Sequence, residues 1–388
     1  MRTITIGYGH TKFGKLKESL EELIIDVGKQ AIKDAGIEPR DIDLCFLGMF
    51  SGSFTHQEHI APVMLKINKG LRFKPCFRIE NGGASGSSAV VMGTYAIRTG
   101  QAKRVLVVGV EKMTGLDIRR VRQILYGTTD YNQKTDGNLD VTKIFADISK
   151  AHHKMYGTTE LQLAKVALKN YSNALNNPNA HIKKNYDLQF FADANPDNIY
   201  IAEPLKVTDC FQISDGAAAV VITDDDTALT RKSNAVEIAS QVLITDYLSV
   251  DDRELIKLEG AKVAFELAFR RANMTIEDIN VAELHDAYTI NELMVYEAMG
   301  LCSEGQGGRV IDEGRTLMTG QLPVNPSGGL LAQGHPLGAT GVSQIVNIAK
   351  QILGKAGDMQ VPKADVGITY NMGGIGATNV VSILKKFS

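Results

Sequence analysis

At 388 residues the chain is longer than the ~150 residues of a typical domain, so two or three domains are expected. Hydrophobic residues at 44% and charged residues at 22% are an ordinary globular balance, enough for a large core. A formal net charge of −2 gives no field for nucleic acid, and no apolar run approaches the ~20 residues of a membrane span.

Cys45, Cys76, Cys210 and Cys302 form no Cys-x-x-Cys pair and no metal-ligand spacing. Free thiols in a reducing, cytoplasmic setting are the expectation. Met1 to Tyr8 is strand-like and lacks the features of a signal peptide.

In chain order, Thr3 to Ile6 reads as a strand that Gly7 ends. Ser19 to Ala35 has helical spacing, with Leu20, Leu23, Ile24, Val27 and Ala31 on one face and Gly36 as the stop. Ile42 to Met49 suits a buried parallel strand. Gly52 to His59 is a polar loop in which His56 and His59 are surface residues or face a substrate. Lys74 to Glu80 reads as a strand, followed by the small-residue junction Glu80-Asn81-Gly82-Gly83-Ala84-Ser85-Gly86-Ser87 and a helix through Ile97. Such a junction lets a helix N-terminus approach a ligand or another backbone, and that terminus favours an anion.

Arg104 to Val110 is the clearest strand. The alternation of strands and helices indicates an α/β fold with a largely parallel sheet. Residues 117–207 are polar, with a helix over Leu161 to Leu175 broken at Asn176-Asn177-Pro178, and suggest an inserted loop domain that covers a substrate. Lys143, Lys150, Lys154, Lys183 and Lys184 there meet a phosphate-rich ligand or form a solvated face. Ser214 to Gly216 is a turn feeding the strand Ala217 to Thr223, and Asp224 to Asp226 closes the first half.

The second half repeats the order. Strands are expected at Val236 to Ile244, Asn280 to Leu284, Asp365 to Tyr370 and Thr378 to Leu384. Helices are expected at Gly260 to Ala272, Tyr288 to Met299 and Gly338 to Leu353, with a glycine turn at Asn371 to Gly376. Ala84 to Met113 corresponds to Gly338 to Met372, a weak internal repeat of element order. Two similar halves, 1–226 and 227–388, would form a layered αβαβα sandwich with the site between the matched helix starts.

Four stretches carry a resemblance over nearly the whole chain: Glu80 to Ser87, His285-Asp286-Ala287-Tyr288, Asn325 to Gly329 running on to Gly334-His335-Pro336-Leu337-Gly338-Ala339-Thr340-Gly341, and Asn371 to Gly374. On these the chain resembles the thiolase superfamily, in the branch of sterol-carrier-protein-2-type and archaeal thiolases. The resemblance implies the thiolase fold, coenzyme A or acyl-CoA as substrate, no permanently bound cofactor or metal, at least a homodimer, and an association with a small zinc-ribbon and OB-fold protein. It also implies that position 83 holds the acyl-accepting cysteine, where this chain has Gly83, and that Asn371 stands where many thiolases have a second cysteine.

On the same ground His335 activates a nucleophile and holds the thioester oxygen, and His285 serves an oxyanion hole. The backbone N–H groups of Gly83 and Gly374 form a second one. Ser85, Tyr288, Asn325 and Gly334 are substrate-binding candidates, and Asp286 is a cap for the Tyr288 helix. A glycine offers no thiolate and an amide no base, so the covalent route is closed. Rescue by Cys45, Cys76, Cys210 or Cys302 is not expected. The expected function is that of a thiolase-type acyltransferase acting on the carbon–carbon bond of a β-oxoacyl-CoA, its acyl-accepting cysteine absent at Gly83 by engineering or by nature. The alternatives are a retro-aldolase acting on a β-hydroxyacyl-CoA without an acyl-enzyme and a non-catalytic subunit of a thiolase complex.

Overall fold

The computed structural model describes residues 2–130, 140–230 and 232–388. Met1 and residues 131–139 of the expected loop domain lie outside them. The strands are β1 Ile4–His10, β2 Leu44–Gly48, β3 Cys76–Ile79, β4 Arg104–Glu111, β5 Tyr200–Ala202, β6 Leu205–Lys206, β7 Gly216–Thr223, β8 Val236–Thr245, β9 Val281–Glu283, β10 Val366–Gly373 and β11 Thr378–Lys386. The helices are α1 Leu20–Ala35, α2 Ser85–Arg98, α3 Ile118–Tyr126, α4 Val141–Tyr156, α5 Glu160–Ala174, α6 Leu188–Ala192, α7 Asp225–Leu229, α8 Glu259–Ala272, α9 Thr289–Ala298, α10 Gly307–Asp312, α11 Gly329–Ala332 and α12 Leu337–Ile352.

One sheet runs β3-β2-β4-β7-β1-β8-β11-β10-β9, and β5 and β6 pair separately. The sheet is mixed, not largely parallel. Only β3–β2, β2–β4 and β10–β9 are parallel. The pairs β4–β7, β7–β1, β1–β8, β8–β11 and β11–β10 are antiparallel. Helix crossovers enforce parallel pairing only between the strands they join, whereas the tight turn after β10 makes a hairpin of β10 and β11.

The halves meet along the short β1–β8 ladder, where Ile4 and Thr5 pair with Glu237 and Val236. Either side of it, the order β2-β4-β7-β1 is matched by β9-β10-β11-β8. α1 covers one half-sheet and α8 the other, while α2 and α12 lie against each other between them, giving the αβαβα layering of the thiolase fold.

Local chemistry explains the elements. Ser19 and Glu22 form a capping box at the start of α1, and Gly36 ends it at φ 62°. Gly7 does not end β1; the strand runs on to His10. Here the glycine serves close packing, since a Cβ on Gly7 would lie 2.2 Å from the Ala31 carbonyl oxygen of α1. The first turns of α2 and α12 also touch backbone to backbone, for a Cβ on Gly86 would lie 2.4 Å from the Gly338 oxygen. That contact brings two positive helix ends to one place.

The polar 117–207 region folds mainly as helices α3 to α6, and α5 packs on α9, α10 and α11 of the second half. Asn173 and Asn177 are buried anchors. Asn173 donates to the Asn325 carbonyl at 2.9 Å and Asn177 to the Ser327 carbonyl at 2.8 Å.

Candidate active site

A cavity of about 330 Å³ opens where the starts of α2 and α12 meet the loop after β9. Gly83, His285, His335, Tyr288, Met372 and Gly374 are among its lining residues, together with a wall from α3 and α4 in which Ile118, Leu125, Val141 and Phe145 are joined by Arg122 and Thr142. A Cβ built on Gly83 would lie 3.4 Å from His335 Nε2 and 3.4 Å from His285 Cε1. The first-half glycine and both second-half imidazoles therefore face one shared space. That Cβ would also lie 2.7 Å from the Met372 carbonyl oxygen, closer than real Cβ atoms come, so any side chain at 83 requires the backbone of β10 to move.

His335 lies between α11 and α12, held by its N–H bond to the Gln212 carbonyl at 3.1 Å. Its Nδ1 sits 2.7 Å from Thr340 Oγ1. The Thr340 hydroxyl gives its single proton to the Pro336 carbonyl at 3.0 Å, so it accepts from Nδ1–H. The opposite nitrogen, Nε2, then carries a lone pair toward Gly83. The ring is buried, with Phe211 edge-on at 5.1 Å and His285 at 5.0 Å between centroids. Burial first, and the neighbouring His285 second, hold its pKa well below the ordinary histidine value. It is a neutral acceptor at pH 7.

His285 has the opposite tautomer. Its Nδ1 faces the backbone N–H of Met372 at 3.2 Å and the side-chain amide of Asn371 at 3.0 Å. A backbone N–H can only donate, so Nδ1 must accept and the ring proton resides on Nε2. The sheet produces this contact. β9 pairs in parallel with β10 as far as Glu283 and Thr369, and two residues on, where the ladder has ended, His285 lies beside Asn371 and Met372. Burial lowers the His285 pKa to about 3. Among the described residues neither Nε2 has a hydrogen-bond partner, so the cavity is offered one base and one donor.

The other expected site residues divide. Gly374 lines the cavity at φ 63°, the first residue of the turn. Asn371 and Met372 belong to β10 and not to that turn, because the β10–β11 ladder holds through Gly373. Asn371 does not line the cavity; it stands behind His285. Tyr288 lines the cavity, stacked on Phe145 at 4.3 Å, with its hydroxyl 3.2 Å from Thr142 Oγ1. Burial raises its pKa well above the usual phenol value, so it stays protonated.

Ser85, Asn325 and Gly334 do not line the cavity. The Ser85 hydroxyl is bound to the Gly82 carbonyl at 2.6 Å and braces the glycine loop. Asn325 joins Glu292 at 2.8 Å and the Leu284 N–H at 2.7 Å, beneath the His285 loop. At φ 110°, Gly334 packs against Ser214 and turns the chain into His335. Asp286 caps α11, not the Tyr288 helix: it accepts from Leu330 N–H at 2.7 Å and Leu331 N–H at 3.3 Å. Lys143, Lys150, Lys154, Lys183 and Lys184 are all exposed, as are His56 and His59.

Cys210 does reach the cavity, but its thiol donates to the Lys206 carbonyl at 3.3 Å. Burial and the Asp209 carboxylate push its pKa far up, so it is not a thiolate. Two supports escaped the sequence reading. Thr340 sits in a stretch already singled out, and its distance of five residues from His335 across a helix start was the available signal. Glu111 is the last residue of β4, closing its apolar run, and gave none; it accepts from the N–H groups of Phe50, Ser51 and Gly338, tying α12 to β4. Burial lifts its carboxyl to about 7.

Comparison with known proteins bears on this geometry. Residues 3–226 match the family model for the thiolase N-terminal domain, and residues 243–386 the one for the thiolase C-terminal-like domain. The chain belongs to the thiolase family. It is 36% identical over 384 residues to an acetyl-CoA acetyltransferase of Methanothermobacter thermautotrophicus, covering 98% of each chain. It is 33% identical to human sterol carrier protein 2, covering 99% of this chain and 72% of that one. These relatives set it in the archaeal and sterol-carrier-protein-2 branch of the thiolases. In structure it matches an Ltp2–ChsH2(DUF35) aldolase at TM-score 0.83 and 22% identity, covering 99% of this chain and 98% of that one. A monomeric SCP2-thiolase-like protein of Mycobacterium smegmatis matches at TM-score 0.76 and 15% identity, covering 100% of this chain and 77% of that one. Among the described residues no helix is long and apolar enough to cross a membrane.

Proposed function

We propose that this thiolase makes or breaks a carbon–carbon bond in an acyl-CoA thioester without passing through an acyl-enzyme, by retro-aldol cleavage of a β-hydroxyacyl-CoA or its reverse. One observation carries the reading: a lone-pair imidazole and a donor imidazole face the same space opposite a glycine. A retro-aldol step needs a base and an oxyanion donor, and no nucleophile. His335 Nε2 takes the β-hydroxyl proton. The Cα–Cβ bond breaks as the β-carbon becomes a carbonyl, and its electron pair passes to the thioester oxygen as an enolate. His285 Nε2–H and the N–H groups of Gly83 and Gly374 stabilise that oxygen. His335 then returns the proton to the α-carbon, leaving a shortened acyl-CoA and an aldehyde or ketone.

The starts of α2 and α12 add their positive ends to the developing enolate, which supports the same chemistry. The structural neighbour described as an aldolase agrees with it. A second reading, acyl transfer between a β-oxoacyl-CoA and CoA, is favoured by the 36% identity to an acetyl-CoA acetyltransferase. It requires a nucleophile from elsewhere, and Cys210, the one thiol at the cavity, is held protonated.

Assembly belongs to the proposal. A homodimer along the free edge of β3 is supported by Phe77 on that strand and by Met92 and Tyr95 on α2, all exposed apolar side chains. A small zinc-ribbon and OB-fold partner is supported only by the neighbour's description as a two-protein complex. The reaction is tested by supplying purified chain with β-hydroxyacyl-CoAs, and separately with β-oxoacyl-CoAs plus CoA. A carbonyl product from the first supports the proposal. Thiolysis in the second, with no cleavage in the first, returns the chain to acyl transfer.

A further inference from the structure

The mechanism uses His285 as a donor, and the origin of that role reaches two residues deeper. Asn371 donates its amide to His285 Nδ1 and accepts, through Oδ1, the Ser87 hydroxyl at 2.7 Å, whose single proton is shared with the Ala84 carbonyl at 3.0 Å. Ser87 stands in the first turn of α2, so the relay runs from the helix that begins beside Gly83, through β10, to the loop after β9. All three side chains are buried. Neither end of the amide is free to turn. The Met372 N–H fixes His285 Nδ1 as an acceptor, which demands the NH₂ end of Asn371 on that side, and the oxygen is then left for Ser87. A Cβ on Gly341 would lie 2.5 Å from Asn371 Oδ1, so α12 closes over the amide as well.

We infer that Ser87 and Asn371 are positioning residues that act together with the Met372 N–H to hold His285 in its Nε2–H tautomer, and that a carboxylate at 371 would oppose that N–H and draw a proton to Nδ1. An amide beside Nδ1 makes the ring a permanent donor. A carboxylate in the same place would require a proton on Nδ1. The ring would then present Nε2 to the cavity as a lone pair, or become a cation. The other titratable ring facing His285 is His335, at 5.0 Å between centroids, while the Asp286 carboxylate is turned away to the α11 amides. The relay thus has no competing charge at Nδ1.

The inference rests on the proposed reaction for its meaning but not for its test. Protein labelled with ¹⁵N-histidine is examined by two-bond ¹H–¹⁵N correlation at pH 7, with His285→Ala used to assign one of the eight histidines. His285 is expected as the Nε2–H tautomer in the unmodified chain. Asn371→Asp is expected to move the proton to Nδ1, raise the titration of this ring by at least two pH units, and lower carbonyl release at least 100-fold. Ser87→Ala is expected to keep the fold and, with the amide freed to turn, to raise a minor Nδ1–H population against the Met372 N–H. An Nδ1–H signal in the unmodified chain, or an unchanged tautomer and titration in Asn371→Asp, overturns the inference. If the tautomer moves as expected while the unmodified chain cleaves no β-hydroxyacyl-CoA, the relay stands and the reaction assignment fails.

Discussion

The two halves repeat one order of strands and helices, yet they bring opposite things to the cavity. The first half delivers the start of α2 as bare backbone, with Gly83 offering an N–H and no side chain. The second half delivers two imidazoles in complementary states, each fixed through its far nitrogen. In a duplicated architecture the frame persists in both copies because packing demands it, as the Gly86–Gly338 contact illustrates. The imidazoles have no such constraint, and here both come from the second half, while the first half adds Arg122, Thr142 and Cys210 to the cavity wall. The arrangement offers the cavity two imidazoles and, at position 83, backbone alone.

The comparison breaks most sharply at His335. If the second half holds the sole base, His335→Ala lowers carbonyl release by about 10²–10⁴-fold, the usual range for general acid–base catalysis. The pH profile provides an internal check. Burial and His285 hold the His335 pKa below the ordinary value of about 6.5, so the neutral, active form persists as pH falls through that value. Activity should be flat from pH 8 to about 6.5, with the acid limb displaced below it. An acid limb at 6.5 or above would mean that some other group is the base.

His285→Ala is next, at about 10²–10³-fold in kcat with the substrate affinity less affected, as removal of one oxyanion donor does. Equal losses at both histidines on β-oxoacyl-CoA thiolysis, with none on cleavage, would favour acyl transfer. Position 83 sharpens the contrast from the other side. Gly83→Cys restores a side chain where the resemblance puts a nucleophile, but its Cβ must displace the Met372 carbonyl from 2.7 Å. The expected cost in unfolding free energy is about 1–3 kcal/mol, in the range of an overpacked site. A thiol there lies beside an acceptor imidazole and a helix N-terminus, conditions that favour the thiolate. An acyl adduct seen by intact mass after exposure to acyl-CoA is therefore expected in Gly83→Cys and absent from the unmodified chain.

How much of this was legible differs between frame and function. Helix ends were readable where a cap signals them, as Ser19, Glu22 and Gly36 do around α1. The strand at Gly7 was misjudged because glycine marks both a break and a close approach, and only the position of α1 tells which. The sheet direction was misread because alternation of elements does not reveal that β7 and β1 run antiparallel to their neighbours. Of the expected site residues, Gly83, His285, Tyr288, His335 and Gly374 line one cavity, whereas Ser85, Asn325 and Gly334, from the same motifs, face away from it. A motif records which residues are needed, whereas bonds such as Asn325 to Leu284 N–H reveal whether the need is for contact with a ligand or for holding a loop.

The smallest effect tests the finest part of the contrast, the lock on His335. Thr340→Val keeps the shape of the side chain and removes the oxygen that accepts from Nδ1–H. The imidazole then loses its reason to prefer the Nδ1–H tautomer, and the buried Nδ1–H and the Pro336 carbonyl both lose a partner. An unsatisfied buried polar group costs about 1–3 kcal/mol, so the melting temperature should fall as well. Catalysis should suffer less than in His335→Ala, because the base remains and only its correctly protonated fraction shrinks. A loss in kcat of about 3- to 10-fold with KM unchanged corresponds to roughly 0.7–1.4 kcal/mol at the transition state. Thr340→Ser keeps the hydroxyl and should restore the rate. A serine variant as slow as the valine one would show that the methyl packing of Thr340, and not its proton bookkeeping with His335, is what α12 contributes to the base.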